Sequence, residues 1–368
     1  MQTETLFLKL LTFRSITPND DGAFAFIKTY LPSFEVIELE KEGVKNLFLY
    51  KYFDQGPHLC FAGHIDVVPP GEGWKSDPFE PILKEGMVYA RGTQDMKSGL
   101  CAFIQACKEA TAFKGTLSLL LTSDEEGDAT YGTVEMLRHL KSQNLLPDYA
   151  IVAEPTSEKV FGDAIKVGRR GSINGVIEIL GKQGHAAYPQ KAINPVHQIA
   201  PLLTCLAGHN LDEGDTSFEP SKMVITDIRG GMEVTNVTPG SLKIMFNVRN
   251  SIQTRLEGVK SYIEETLKEL NFTLSLSQSA KPFVTNVNSP IVRAVSKALI
   301  EVMGKAPKLS TAGGTSDARF FGEFGVETIE CGVINDTIHA PNECCQMQDV
   351  KDLETVFKYV ITHLKEKN

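Results

Sequence analysis

Five short stretches place imidazole or carboxylate side chains beside apolar runs of the chain. His64-Ile65-Asp66 follows HLCFAG. Alternate residues of an extended segment share a face, so His64 and Asp66 project to one side. A metal-ligating imidazole needs a partner on its other nitrogen, and Asp66 could supply it. Arg91-Gly92-Thr93-Gln94-Asp95-Met96-Lys97 precedes a helical stretch. There Asp95 could cap the helix, or its two oxygens could bridge two cations. LTSDEEGD places four acidic residues within 124–128 after another apolar run. A charge run is ordinarily a solvated loop. At the end of a buried strand, however, one carboxylate can bind metal while its neighbour takes a proton from water. Glu154-Pro155 ends a further apolar run, and His339 lies in TIHAPNE, after the last predicted strand. Each stretch alone reads more readily as structural.

The set carries more than its members. Counted as ligands, His64, Asp95, Glu126, Glu154 and His339 give two imidazoles and three carboxylates. With Asp95 shared, they suit two borderline cations about 3.5–4 Å apart. Each ion would have a His, a carboxylate and one oxygen of Asp95, with the fourth position left to water.

Such residues need strands to carry them. Helical spacing of Leu and Phe marks residues 3–13 and 20–31, and apolar strand-like runs occupy 34–40, 46–52 and 58–63. Helices are expected at 97–112 and 130–143, and buried strands at 115–123 and 149–154. Strands alternating with helices imply a mostly parallel sheet covered on both faces. Near Gly171 the texture changes. SINGVIEIL at 172–180 and SLKIMFNVR at 241–249 alternate apolar and polar residues, as an antiparallel sheet with one covered face does. With helices at about 194–207 and 254–269, the order strand, helix, strand, strand, helix, strand is ferredoxin-like. After Pro282 the first pattern resumes, with a helix at 289–303, a strand at 326–331 and a helix at 349–365. The expected fold class is α/β: a mostly parallel-sheet catalytic domain (1–170 and 284–368) interrupted by an inserted ferredoxin-like α+β domain (171–283).

The 368 residues are 42% hydrophobic, enough for a sizeable core. A net charge of -9 argues against nucleic acid and anionic membranes as main partners. It leaves room for an anionic small molecule held by a local cluster of Arg. The N-terminal MQTETLFLKLLTF carries Glu4 and lacks a basic leader and a small-residue cleavage site, so a signal peptide is not expected. No apolar run approaches the roughly 18 residues of a membrane span, and a cytoplasmic location is expected. The seven cysteines contain no CxxC pair, which argues against a thiolate zinc site. Adjacent Cys344 and Cys345 are the one oddity.

GHIDVVPPGEGW, YARGTQDMKSGL, LTSDEEGD, VAEP and TIHAPNE, in this order, resemble the M20 family of metallopeptidases and amidohydrolases. The resemblance runs essentially end to end. It implies two Zn2+ ions, with Co2+ able to substitute. It makes Glu125 the general base, Glu126 a zinc ligand and Asp66 the support of His64. It also implies a homodimer through the inserted domain, with His185 of GKQGHAAYPQ reaching the partner's active site as an oxyanion stabiliser. GRRGS at 168–172, NVTPG at 236–240, FNVR at 246–249 and GGTSDARF at 313–320 bear on specificity and resemble one branch of the family, whose substrate is a linear amide with several carboxylates. Arg169, Arg170 and Arg249 fit those carboxylates, because a guanidinium grips one through two hydrogen bonds. Asn236, Tyr188, Gly314, Thr315, Ser316 and Asn335 are further contact candidates. Gln94 departs from the family pattern, which has a small residue before the Asp, and Ser98 stands where a Gly is usual. Sibling deacylases and dipeptidases share the metal motifs, and a silent metal-binding relative is the rival of another class.

Overall fold

The computed structural model describes residues 1–364. Its contacts divide it into two units: 1–168 with 284–310 and 316 onward, and 169–283 with 311–315. In chain order the strands of the main sheets are β1 (Glu35–Lys41), β2 (Val44–Tyr52), β3 (His58–His64), β4 (Thr116–Thr122), β5 (Tyr149–Val152) and β6 (Ala164–Lys166); then, in the second unit, β7 (Ser172–Leu180), β8 (Lys222–Gly230), β9 (Ser241–Arg249) and β10 (Phe272–Ala280); and finally β11 (Lys308–Ser310) and β12 (Glu327–Glu330).

The first unit is built on an eight-stranded sheet in the order β1-β2-β4-β3-β5-β12-β6-β11. Its centre, β4-β3-β5-β12, is parallel. The hairpin of β1 and β2 adds antiparallel to β4, and β6 meets β12 antiparallel. The central strands are buried almost throughout, as runs such as LCFAG and LSLLL require when helices cover both faces. The chain leaves β3, enters β4 on one side and then crosses to β5 on the other. Such a reversal opens a crevice at the carboxyl ends of the strands. His64 lies opposite Thr122, and Ala62 opposite Val152. The residues after 64, 122 and 152 therefore emerge together at one end of the sheet.

After α1 (Thr3–Leu11) and α2 (Ala23–Tyr30) comes α3 (Lys97–Glu109); α1, α3 and, near the end of the described chain, Met347–His363 lie on one another beside this sheet. Phe61 of β3 stacks on Phe103, ring centroids 5.9 Å apart, and meets Phe357 at a tilt, 5.0 Å apart, locking strand and two helices into one core. Residues 97–107 of α3 are all buried. Pro290–Met303 buries Ile291, Val295, Ala298 and Leu299 along one face and ends at Gly304, whose φ of 71° suits the left-handed residue closing a helix. The expected helix 349–365 begins at Met347, and its last residue, 365, lies outside the described residues. A small antiparallel sheet joins Ile82–Lys84, Met87–Tyr89 and Cys344–Gln346, and so carries the stretch before Cys344 to the turn after Tyr89.

The second unit has a four-stranded antiparallel sheet in the order β8-β9-β7-β10. This is the ferredoxin-like arrangement. Alternation does what the sequence implies: Ile173, Ile177 and Ile179 of β7 and Leu242, Ile244, Phe246 and Val248 of β9 face one core with Val259 and Ile263 of the helix Leu256–Thr266. Gly175 leaves the space that Phe246 fills, since a Cβ there would lie 2.0 Å from the ring. The helix expected at 194–207 is broken into Pro195–Ile199, a 3-10 turn and Leu203–Leu206. Pro201 has no N–H to continue an α-helix. All seven cysteines are free thiols. Among the described residues no helix is long and apolar enough to cross a membrane.

Gly99 permits the closest approach of α3 to the end of β5. A Cβ on it would lie 2.3 Å from the Ala153 carbonyl oxygen. Gly99→Ala, ordinarily favourable in a helix, is expected to destabilise the protein by about 2–3 kcal/mol through overpacking. A thermal melt should show a fall of roughly 5 °C; an unchanged midpoint would mean that this contact is loose.

Candidate metal centre

His64 closes β3, and its ring is fully buried. Its Nδ1 donates to the main-chain oxygen of Asp66 at 2.8 Å, which leaves Nε2 free to face the cluster. The Asp66 carboxylate is farther from that ring, at 3.6 Å. It instead accepts the main-chain N–H groups of Glu125 at 3.4 Å and Glu126 at 3.1 Å. Asp66 thus holds His64 with its carbonyl and the acidic loop with its side chain.

Asp95 sits in the turn before α3. Met96 is the helix N-cap residue and no side chain caps that end, so the capping role open to Asp95 is not used. The Asp95–Met96 peptide is cis. One Asp95 oxygen stands 3.1 Å from His64 Nε2 and the other 3.3 Å from His339 Nε2. His339 Nε2 is also 3.1 Å from Glu126 Oε1, and Glu154 Oε1 is 3.8 Å from His64 Nε2. Donor atoms of His64, Glu125 and Glu154 lie within 4.8 Å of one another, as do those of His64, Asp95 and Glu126. Within the acidic run, Asp124 is buried and accepts the N–H of Tyr131, a structural task.

The electrostatics follow from crowding. Burial works against a charged His64, but Asp95, Glu154, Glu125 and Asp66 outweigh it and hold its pKa well above 6.5. Hydrogen bonds with Asp95 and Glu126 raise His339 to about 10. Burial would raise Asp95, yet the two imidazoles keep it below the usual carboxylate range. Burial lifts Glu125 and Glu154 well above theirs, and Asp66 to about 6. So many acidic groups in one recess are costly unless paired or bound to metal. Ligand atoms about 2.0–2.2 Å from a tetrahedral cation stand about 3.3–3.6 Å apart. The observed separations of 3.1, 3.3 and 3.8 Å bracket that spacing, so the residues fit metal coordination.

Arg91, Gln94 and Glu343 were not foreseen as part of this centre. Arg91 and Glu343 form a buried ion pair of 2.7 Å beneath the Asp95 turn. Glu343 lies four residues after His339 in TIHAPNE, which is the signal that could have found it.

Other expected site residues belong to the second unit. His185 is exposed, its Nδ1 accepts the N–H of Ala187 at 3.0 Å, and its ring meets Tyr188 edge-on. The Asn236 carbonyl accepts the N–H of Ala186. Arg169 is buried and donates to the Ala312 carbonyl at 3.1 Å. Arg170 stands 3.8 Å from Glu219. Arg249, Gly314 and Thr315 are exposed. In the first unit, the Ser316 hydroxyl donates to Glu330 at 2.5 Å, and the Asn335 amide reaches the Pro155 carbonyl at 3.5 Å, just beyond Glu154.

The peptidase family M20/M25/M40 matches residues 60–363, and the chain belongs to that family. Membership and the clustered donors define a metal-dependent hydrolase. A succinyl-diaminopimelate desuccinylase from Nautilia profundicola is 63% identical over 361 residues, 98% of this chain and 99% of that protein. One from a Nitratiruptor species is 62% identical over 361 residues, with the same coverage. Among solved structures, aminopeptidase PepT from Bacillus cereus shares the fold, with a TM-score of 0.80 at 22% identity over 98% of each chain.

Because the pKa of His339 is raised from 6.5 to about 10, the stability it contributes is fully present below 6.5 and is lost as pH rises toward 10. Chelator-stripped protein should therefore melt at falling temperatures across that window. Loading it with a divalent cation at about pH 8 should release protons, read by calorimetry in buffers of differing ionisation enthalpy. No net release would contradict the assigned protonation.

Proposed function

We propose that this chain acts as a succinyl-diaminopimelate desuccinylase, hydrolysing N-succinyl-LL-2,6-diaminopimelate to succinate and LL-2,6-diaminopimelate in diaminopimelate and lysine biosynthesis. The observation that carries this reading is identity of 63% and 62% with relatives so described, over almost the whole of each chain. Two Zn2+ ions, replaceable by Co2+, are the proposed cofactors. His64, Glu154 and Asp95 hold one, and Asp95, Glu126 and His339 hold the other. The first unit is the catalytic domain, and the second, the inserted domain expected at 171–283, is a lid through which a homodimer assembles in the cytoplasm.

When bound, the cations supply Lewis acidity and lower the pKa of water from 15.7 to about 7. Glu125 is the general base. Burial raises its pKa, and its carboxylate lies among the ligand atoms of His64 and Glu154, where a group that takes and returns a proton is needed. It takes a proton from water as the water oxygen bonds to the succinyl carbonyl carbon. It then gives that proton to the nitrogen as the amide C–N bond breaks. Asp66, through the N–H groups of residues 125 and 126, keeps Glu125 and Glu126 in register. His185 of the opposite protomer donates to the developing oxyanion. The substrate's three free carboxylates meet Arg169, Arg170 and Arg249, with Tyr188, Asn236, Gly314, Thr315, Ser316 and Asn335 as polar neighbours. Of the three guanidiniums, Arg249 is the most exposed and so the first choice.

A panel of succinyl-diaminopimelate, acetylornithine and dipeptides, assayed with zinc-loaded protein, tests the reading. Succinyl-diaminopimelate should lead in kcat/KM by roughly 10²-fold or more. Preference for another amide would replace the substrate and keep the chemistry. Glu125→Ala should lower kcat by at least about 10²–10⁴-fold while the cation count by elemental analysis stays at the wild-type value. Retained turnover would remove Glu125 from the role of base.

A further inference from the structure

His64 and His339 are held in different ways. His64 ends a central strand, is fully buried, and has its ring fixed by the Asp66 carbonyl. His339 lies on a loop, adopts a φ of 59°, and leaves 48% of its side-chain surface exposed. Its position depends on how the main chain around it is gripped.

Three side chains supply that grip. The Glu343 carboxylate accepts hydrogen bonds from Arg91 Nη1 at 2.7 Å and from the N–H groups of Gly92 at 3.0 Å, Gln94 at 2.7 Å and Asp95 at 3.2 Å. Successive amides around one anion form a rigid nest, so Glu343 sets the direction in which Asp95 leaves the turn. Arg91 donates from Nη2 to the carbonyl of His339 and from Nη1 to that of Ala340, both at 3.3 Å. Gln94 completes the join. Its Oε1 accepts the N–H of Thr337 at 2.9 Å, and its Nε2 donates to Asp336 at 2.6 Å and to the Cys344 carbonyl at 2.8 Å. A small residue at position 94 could make none of these bonds.

We propose that Gln94, Arg91 and Glu343 are positioning residues: a clasp that fixes the His339 loop on the Asp95 turn and sets the affinity of the cation site formed by Asp95, Glu126 and His339, while the site of His64 and Glu154 is set by the sheet. This rests on the ligand assignment made under the proposed function. Loss of such supporting partners typically costs 10–100-fold in metal affinity.

Chelator-stripped protein titrated with Co2+, followed by calorimetry and visible absorption, tests the clasp. Wild type should show two binding events. In Gln94→Ala, whose lost bonds reach only the His339 loop, one event should stay within about twofold and the other weaken about 10–100-fold, with a matching loss of one component of the visible spectrum; in Glu343→Asp, which also loosens the shared Asp95, both should weaken and the same event should weaken more. A stripped-protein melt identifies a variant that fails to fold; should Glu343→Asp fail, Gln94→Ala, which keeps the buried ion pair, carries the test. Two events weakened equally in Gln94→Ala, or neither weakened, would overturn the clasp. A single event in wild type would overturn the ligand assignment itself, and the clasp with it.

Discussion

Five carboxylates, from Asp66, Asp95, Glu125, Glu126 and Glu154, crowd one recess with two imidazoles among them. Removing charges from water is costly, and the mutual repulsion of like charges adds to the cost. The pKa directions record this tension. Glu125 and Glu154 are driven up by burial, while both imidazoles are driven up by the acids around them. Metal cations held there would resolve it, because they bring positive charge to donors already spaced for coordination.

The architecture exists to hold that strained arrangement. Parallel strands buried on both faces bring His64, the Asp124–Glu126 loop and Glu154 to one end of the sheet. The ring cluster of Phe61, Phe103 and Phe357 anchors the strand that ends at His64. None of this reaches His339, 275 positions after His64. That residue arrives by way of the small sheet of Cys344–Gln346 on Met87–Tyr89 and by the polar joins of Arg91, Gln94 and Glu343. The recess is thus half strand-built and half loop-built.

Much of this could be read from the residues. HLCFAG followed by His64 and Asp66, LTSDEEGD and VAEP are strand ends bearing donors, and the period-two texture of residues 172–180 and 241–249 announces an antiparallel sheet. What escaped has physical reasons. Strands of three residues, as at 87–89 and 344–346, are too short to show a period. Glu343 reads as one more polar loop residue until its amide partners, some 250 positions earlier, are seen. Pro201 lies inside the expected helix 194–207 and interrupts it, which helical spacing alone does not show. That Asp66 holds His64 by its carbonyl rather than its carboxylate depends on a difference of 2.8 against 3.6 Å, which no spacing rule resolves.

The central claim is that Asp95 joins two cations, one on each side. A crystal of zinc-loaded protein, measured on both sides of the zinc absorption edge, tests it most directly. The account predicts two anomalous peaks about 3.5–4 Å apart, with one Asp95 oxygen on each, His64 and Glu154 on the first and Glu126 and His339 on the second. A single peak, or two peaks with Asp95 bound to neither or only one, would contradict it.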